Sequence, residues 1–95
     1  MPEVWFTLKW PDGSRERCYS PSTIVTQHLS ANTTYPLSDF SLRATTALQS
    51  ASDRVEQIYG HPCSRAMGQL ERIKQQVSKF EQGHDPMVTC LSMSS

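Results

Sequence analysis

The sequence predicts an α+β fold: a two-layer sandwich in which an N-terminal β-hairpin and a C-terminal strand (order 2-1-3) are covered on one face by two antiparallel helices. Three observations carry this expectation. Apolar and polar residues alternate over residues 4–10, and a Pro11-Asp12-Gly13 turn follows. Two long segments then repeat apolar residues at helical spacing, and a short β-prone run, MVTCLSM, ends the pattern.

Val4, Phe6, Leu8 and Trp10 alternate with Trp5, Thr7 and Lys9, the period-2 pattern of a strand with one buried face. Proline presets φ for the first turn position, Asp accepts a local backbone hydrogen bond, and Gly tolerates positive φ. A type I turn closed by a glycine bulge places Trp10 opposite Ser14. Leu8 then faces Glu16, Phe6 faces Cys18 and Val4 faces Ser20. On the other face Lys9 meets Arg15, Thr7 meets Arg17 and Trp5 meets Tyr19. The first set is the better core face, with Cys18 as a small hydrophobe, although Glu16 fits there only if it reaches water near the hairpin tip. The second set is more polar but carries an aromatic pair flanked by Arg17. Such a pair contributes about 0.2–1 kcal/mol to a hairpin, so stapling alone accounts for it, and a ligand or partner surface is the alternative.

Pro21 ends the second strand because it cannot donate to a ladder. Residues 23–29 (TIVTQHL) read either as strand or as a short helical turn capped by Ser22, and residues 30–36 read as loop. Ser38 is the expected N-cap of the first long helix, with Asp39 favouring its N-terminus. Phe40, Ala44, Ala47, Leu48, Ala51, Val55 and Ile58 form its apolar stripe, and Gly60 stops it. A second helix starts near Pro62 or Ser64. Its stripe is Met67, Leu70, Ile73, Val77 and Phe80, with Cys63 one turn earlier, and Gly68 marks a close approach of the two helices. Gly83 with Asp85-Pro86 ends it, residues 87–93 form the last strand, and Ser94 with Ser95 frays. With two helices between them, the last strand is expected to run parallel to the first.

Ninety-five residues suit one domain, spanning 1–95. A chain of this size buries roughly 60–65% of its unfolded surface, so a core forms without metals or disulfides. Nine basic and nine acidic residues cancel, which argues against nucleic-acid or anionic-membrane binding. No apolar run approaches the ~20 residues of a membrane span, and the start of the chain lacks the pattern of a signal peptide. Three widely spaced cysteines, Cys18, Cys63 and Cys90, fit reduced thiols in the cytoplasm better than a disulfide framework.

No motif announces a reaction. Cys18, Cys63 and Cys90 with His28, His61 and His84 lack the local CxxC or HxxxH pairs of structural zinc sites, so neither metal nor cofactor is expected. Cys18 and Cys63 remain candidate thiols. Cys63, near a helix N-terminus with His61 beside it, has the surroundings of an activated thiol, but no orienting partner is evident. There is no GxSxG elbow, and four scattered glycines cannot cradle a phosphate. The candidate surface that survives is Trp5, Lys9, Arg15, Arg17 and Tyr19. Uncovered aromatic sheet faces are commonly protein interfaces.

The segments MPEVWFTLKWPDGSRERCYSPS, TTYPLSDF and IYGHPCS together resemble a small bacterial family of nitrogen-starvation-response proteins. The family blocks fall at residues 10–13, 18–22 and 35–37, at Asp39 and Phe40, and at Cys63 with Ser64. Where the family pattern has an apolar pair before the cysteine, this chain carries His61-Pro62. Family members are encoded beside a nitrilase, in a cluster with radical-SAM, acetyltransferase and AIR-synthase-like proteins. The resemblance implies a cytoplasmic protein tied to nitrile or cyanide-like nitrogen sources, and it carries over no catalytic residue. The expected function is a non-enzymatic accessory or binding protein, partnered by the cluster's enzymes or by a second copy of itself. A thiol- or metal-dependent protein using Cys18 and Cys63, and a sensor of a small nitrogen metabolite, are the alternatives.

Overall fold

The turn at Pro11-Asp12-Gly13 sets the register of the first two strands. In the structure, a computed structural model that describes residues 3–94, the Gly13 amide donates to the Trp10 carbonyl at 2.8 Å, and the Trp10 amide donates to the Ser14 carbonyl at 2.8 Å. Gly13 sits at φ 88°, a left-handed position that suits a residue without Cβ. The Asp12 carboxylate accepts from the backbone and the hydroxyl of Ser14, and these two hydrogen bonds hold it below the usual carboxylate range. Strands β1 (Val4–Lys9) and β2 (Arg15–Ser20) therefore pair as Val4↔Ser20, Trp5↔Tyr19, Phe6↔Cys18, Thr7↔Arg17, Leu8↔Glu16 and Lys9↔Arg15, the register expected from the loop.

Beyond the hairpin, residues Thr23–Gln27 form a 3-10 helix whose Ile24 amide donates to the Ser22 hydroxyl. Asn32 then turns the chain at φ 59° into a strand read from sequence as loop, β3 (Thr33–Pro36). Helix α1 (Leu37–Tyr59) follows without a break, then α2 (Ser64–Phe80) and β4 (Met87–Ser94).

The sheet has four strands in the order β2-β1-β4-β3, not the three-strand order 2-1-3, and every pairing is antiparallel. The overlooked strand explains the difference. It adds one reversal between the hairpin and the helices, so β4 returns antiparallel to β1 rather than parallel. A register shift at Thr7/Leu8 lets Phe6 face Met93 and Leu8 face Cys90, which leaves Leu91 as the extra residue of a bulge.

Other expectations shift locally. Leu37 begins α1, Pro36 occupies the cap position, and Ser38 lies inside the first turn with no capping bond. Asp39 pairs with Arg43 one turn on, at 3.1 Å. Gly60 ends α1 at φ 86°, its amide donating to the Glu56 carbonyl. Ile58 is exposed rather than buried, because a 23-residue helix spans about 34 Å and its buried residues end at Ser52. In α2 the buried stripe is Ala66, Leu70, Ile73 and Val77, with Met67 turned to its exposed margin. A Cβ on Gly68 would meet nothing within 4 Å, so Gly68 marks no close helix approach. Ser94, expected to fray, ends β4 opposite Trp5, and Ser95 lies outside the described residues.

One cluster gathers the core. Val4, Phe6, Leu8, Trp10, Cys18, Tyr35, Val88 and Cys90 from the sheet region meet Phe40, Ala44, Leu48, Leu70 and Ile73 from the helices. Trp10 belongs to it, edge-on to Phe40 at 5.6 Å and stacked with Phe80 at 6.1 Å. Its indole N–H donates to Glu16 Oε1 at 3.2 Å, and the same carboxylate accepts from Arg72 of α2 at 3.1 and 3.3 Å. An acid on the core face is thus satisfied from two sides.

Candidate functional site

Because side chains alternate along a strand, the register that buries Phe6 and Leu8 sends Trp5, Thr7 and Lys9 to the opposite face. Trp5 and Tyr19 stay half-exposed there, ring centroids 5.2 Å apart and tilted by 59°. The Arg17 guanidinium carbon lies 4.4 Å from the Trp5 ring centre. A second guanidinium arrives from α2: Arg65 sits 4.0 Å from the Tyr19 ring centre and 5.9 Å from that of Trp5. Cation–π contacts at such open positions contribute about 0.5–1 kcal/mol each and fix the head groups in place. The neighbouring turn of α2 closes the edge of β2, where the Tyr19 amide donates to Gln69 Oε1 at 3.0 Å. Partial burial, followed by the Glu3 carboxylate beside it, holds the Tyr19 phenol above its usual range.

The structure therefore brings Trp5, Arg17 and Tyr19 together and adds Arg65. Lys9 and Arg15 share the same face but pair with each other at the hairpin tip, about 13 Å along the strand from Trp5. Sequence reading missed Arg65 because nothing in a helical period reveals which sheet edge the first turn of α2 lies against. The one usable signal was its place in the turn after the Cys63-Ser64 helix start.

The candidate thiols behave differently from one another. Cys18 is fully buried beside Phe6, and burial, followed by the Glu16 charge, pushes its thiol far up. A thiol kept protonated is a poor nucleophile and a poor metal ligand. Cys63 is the half-buried residue at the start of α2. Cys18 and Cys63 are both free cysteines, with no disulfide between them. Cys18 and Cys90 lie on strands that flank β1, about 9.6 Å apart across two strand spacings, which is beyond disulfide reach. Among the described residues no group of three or more His, Cys, Asp or Glu side chains is placed to hold a metal ion. No described helix is long and apolar enough to cross a membrane.

Away from the sheet face, an open groove of about 990 Å³ runs between the start of α1 and the end of α2, lined by Leu37, Ser41, Val77, Glu81, Asp85 and Met87 among others. Among the described residues its lining has two carboxylates and no basic side chain.

No curated protein and no solved structure matches the chain. Residues 5–93 match the family described as nitrogen starvation-induced protein NitG, and the chain belongs to that family.

Proposed function

We propose that this protein is a non-enzymatic accessory or binding protein of the nitrogen-starvation response, acting on the enzymes of a nitrilase-linked, nitrile-assimilating system through the sheet face of Trp5, Arg17, Tyr19 and Arg65. Family membership supports the link to nitrogen starvation. The nitrilase system rests on the sequence resemblance alone. The observation that carries the binding role is the half-exposed Trp5–Tyr19 pair with a guanidinium on each ring. Aromatic and arginine side chains of this kind are the anchors on which protein interfaces concentrate their energy. The expected setting is cytoplasmic.

The test is recovery of purified nitrilase and its neighbouring enzymes by immobilised wild-type protein and by Trp5→Ala. Selective loss of one enzyme with Trp5→Ala supports the reading, and equal recovery of every enzyme by both proteins removes it.

The groove beside Leu37 favours a second reading, a sensor of a small nitrogen metabolite. Glu81 and Asp85 suit an ammonium or amidinium group, and the apolar Leu37, Val77 and Met87 suit a short carbon chain. A ligand-induced rise in melting temperature that Glu81→Gln abolishes is its expected signature.

A further inference from the structure

Building on the sheet-face reading, we infer that the occupant of this face is an acidic peptide segment of a partner protein, held by Arg17 and Arg65. The argument is one of charge. On the face shared with Trp5, the strand positions hold Lys9, Arg15 and Arg17 together with neutral Thr7, Thr34, Thr89, Ser92 and Ser94, and no carboxylate. Arg65 adds a further positive charge from α2. The chain as a whole is neutral, so the acids that balance it lie elsewhere. Glu16 and Asp39 are already paired with Arg72 and Arg43. Among the described residues Glu3, beside Tyr19, borders the face, and Asp85 lines a pocket with Lys9 and Thr89 at the hairpin-tip end, away from Arg17 and Arg65.

This segregation works against folding. Lys9 and Arg15 lie directly opposite each other, and like charges so placed destabilise a strand pair. Charges on edge strands often guard against aggregation. That accounts for Arg15 and Arg17 on β2, but not for Lys9, since β1 is paired on both sides, nor for Arg65 on a helix. An incoming row of carboxylates turns the repulsion into attraction.

Arg17 and Arg65 are suited to anchor it. Among the described residues neither forms an ion pair, while the rings of Trp5 and Tyr19 hold their head groups. A guanidinium held in this way keeps its N–H edges free for the two oxygens of a carboxylate. Single-stranded nucleic acid fits less well. Its bases need open aromatic faces, and those of Trp5 and Tyr19 are already occupied by guanidiniums. A second copy presenting the same face would set like charges against each other.

The test titrates a fluorescein-labelled peptide of alternating glutamate and serine against the full chain. A glutamine-for-glutamate peptide, oligothymidylate and phosphatidylserine vesicles serve as competitors. The expected result is saturable, salt-sensitive binding of the glutamate peptide that the glutamine peptide does not share. Arg17→Gln with Arg65→Gln should weaken it at least about tenfold, with circular dichroism unchanged and a cooperative urea transition whose midpoint falls only by the lost cation–π contacts. If that variant folds poorly, Lys9→Gln with Arg15→Gln provides the second measure, a smaller loss of affinity with a shallower salt dependence.

Absence of binding to wild type, binding unchanged by loss of both arginines, or tighter binding of oligothymidylate or vesicles would each overturn the inference. The enzyme-recovery experiment with Trp5→Ala reads whether the face is used, whereas this titration reads the chemistry of its occupant. Either can therefore fail alone.

Discussion

Replacing Glu16 isolates the polar link that joins the hairpin to α2. Its carboxylate accepts from the buried Trp10 indole at 3.2 Å and from the exposed Arg72 guanidinium at 3.1 and 3.3 Å. The two contacts differ in weight. Arg72 is half in solvent, so water and salt screen its part. Trp10 is only 2% exposed, and its N–H cannot turn to water when the acceptor goes. A buried donor left without a partner costs about 1–3 kcal/mol. Glu16→Gln keeps an amide oxygen for the Trp10 indole and loses the charge and one of the two acceptors of the screened Arg72 contact, whereas Glu16→Met keeps the length and loses every acceptor.

Urea unfolding should therefore show a small shift for Glu16→Gln and a loss of about 1–3 kcal/mol for Glu16→Met, roughly one molar in midpoint for a domain of this size. On a Trp10→Phe background the donor is already absent, so most of the difference between Gln and Met should vanish. A Gln–Met difference that persists at full size in Trp10→Phe, or an Arg72→Met cost equal to that of Glu16→Met, would refute the reasoning.

Three further outcomes follow from burial and charge. A thiol reagent applied to the native protein should modify Cys63 alone, with Cys18 and Cys90 reacting after denaturation, as read by mass spectrometry. Burial raises the Cys18 thiol above its unfolded value, so its contribution to stability is complete below that value and is lost as pH rises through it. Wild type should thus weaken above about pH 8.5, by up to roughly 1.4 kcal/mol per pH unit for one thiol, with Cys18→Ala flattening that slope. Raised Cys90 and Tyr19 act with the same sign. Ser52 has the opposite expectation, because its hydroxyl is buried without a hydrogen-bond partner among the described residues. Ser52→Ala should raise stability by about 1 kcal/mol in thermal unfolding, since it removes an unpaired polar group and adds a better helix former.

Much of the fold was legible because its signals are local. Three turn residues set the hairpin register, and Gly60 stops α1. What escaped depends on distant partners. Residues 33–36 carry only one inward apolar side chain, Tyr35, and become a strand by pairing with β4 more than fifty residues away. Ile58 fits a helical stripe as well as Ala47 does, but α1 outruns the core that would bury it. Glu16 looked misplaced on a core face until Trp10 and Arg72 supplied its hydrogen bonds. Of the site, Trp5, Arg17 and Tyr19 were evident from alternation alone. Arg65 was not, since its contact exists only once α2 lies along the edge of β2.

The most direct measurement is the stability of Trp5→Ala set beside that of Phe6→Ala, two adjacent aromatic residues on opposite faces of β1. Phe6 is 1% exposed within the core, so its truncation should cost about 3–5 kcal/mol in urea unfolding. Trp5 stands half-open under Arg17 and Arg65, and losing it should cost about 1–2 kcal/mol, the sum of its cross-strand and cation–π contacts. A cost for Trp5→Ala equal to or above that for Phe6→Ala would contradict the inward and outward assignment, and with it the binding face.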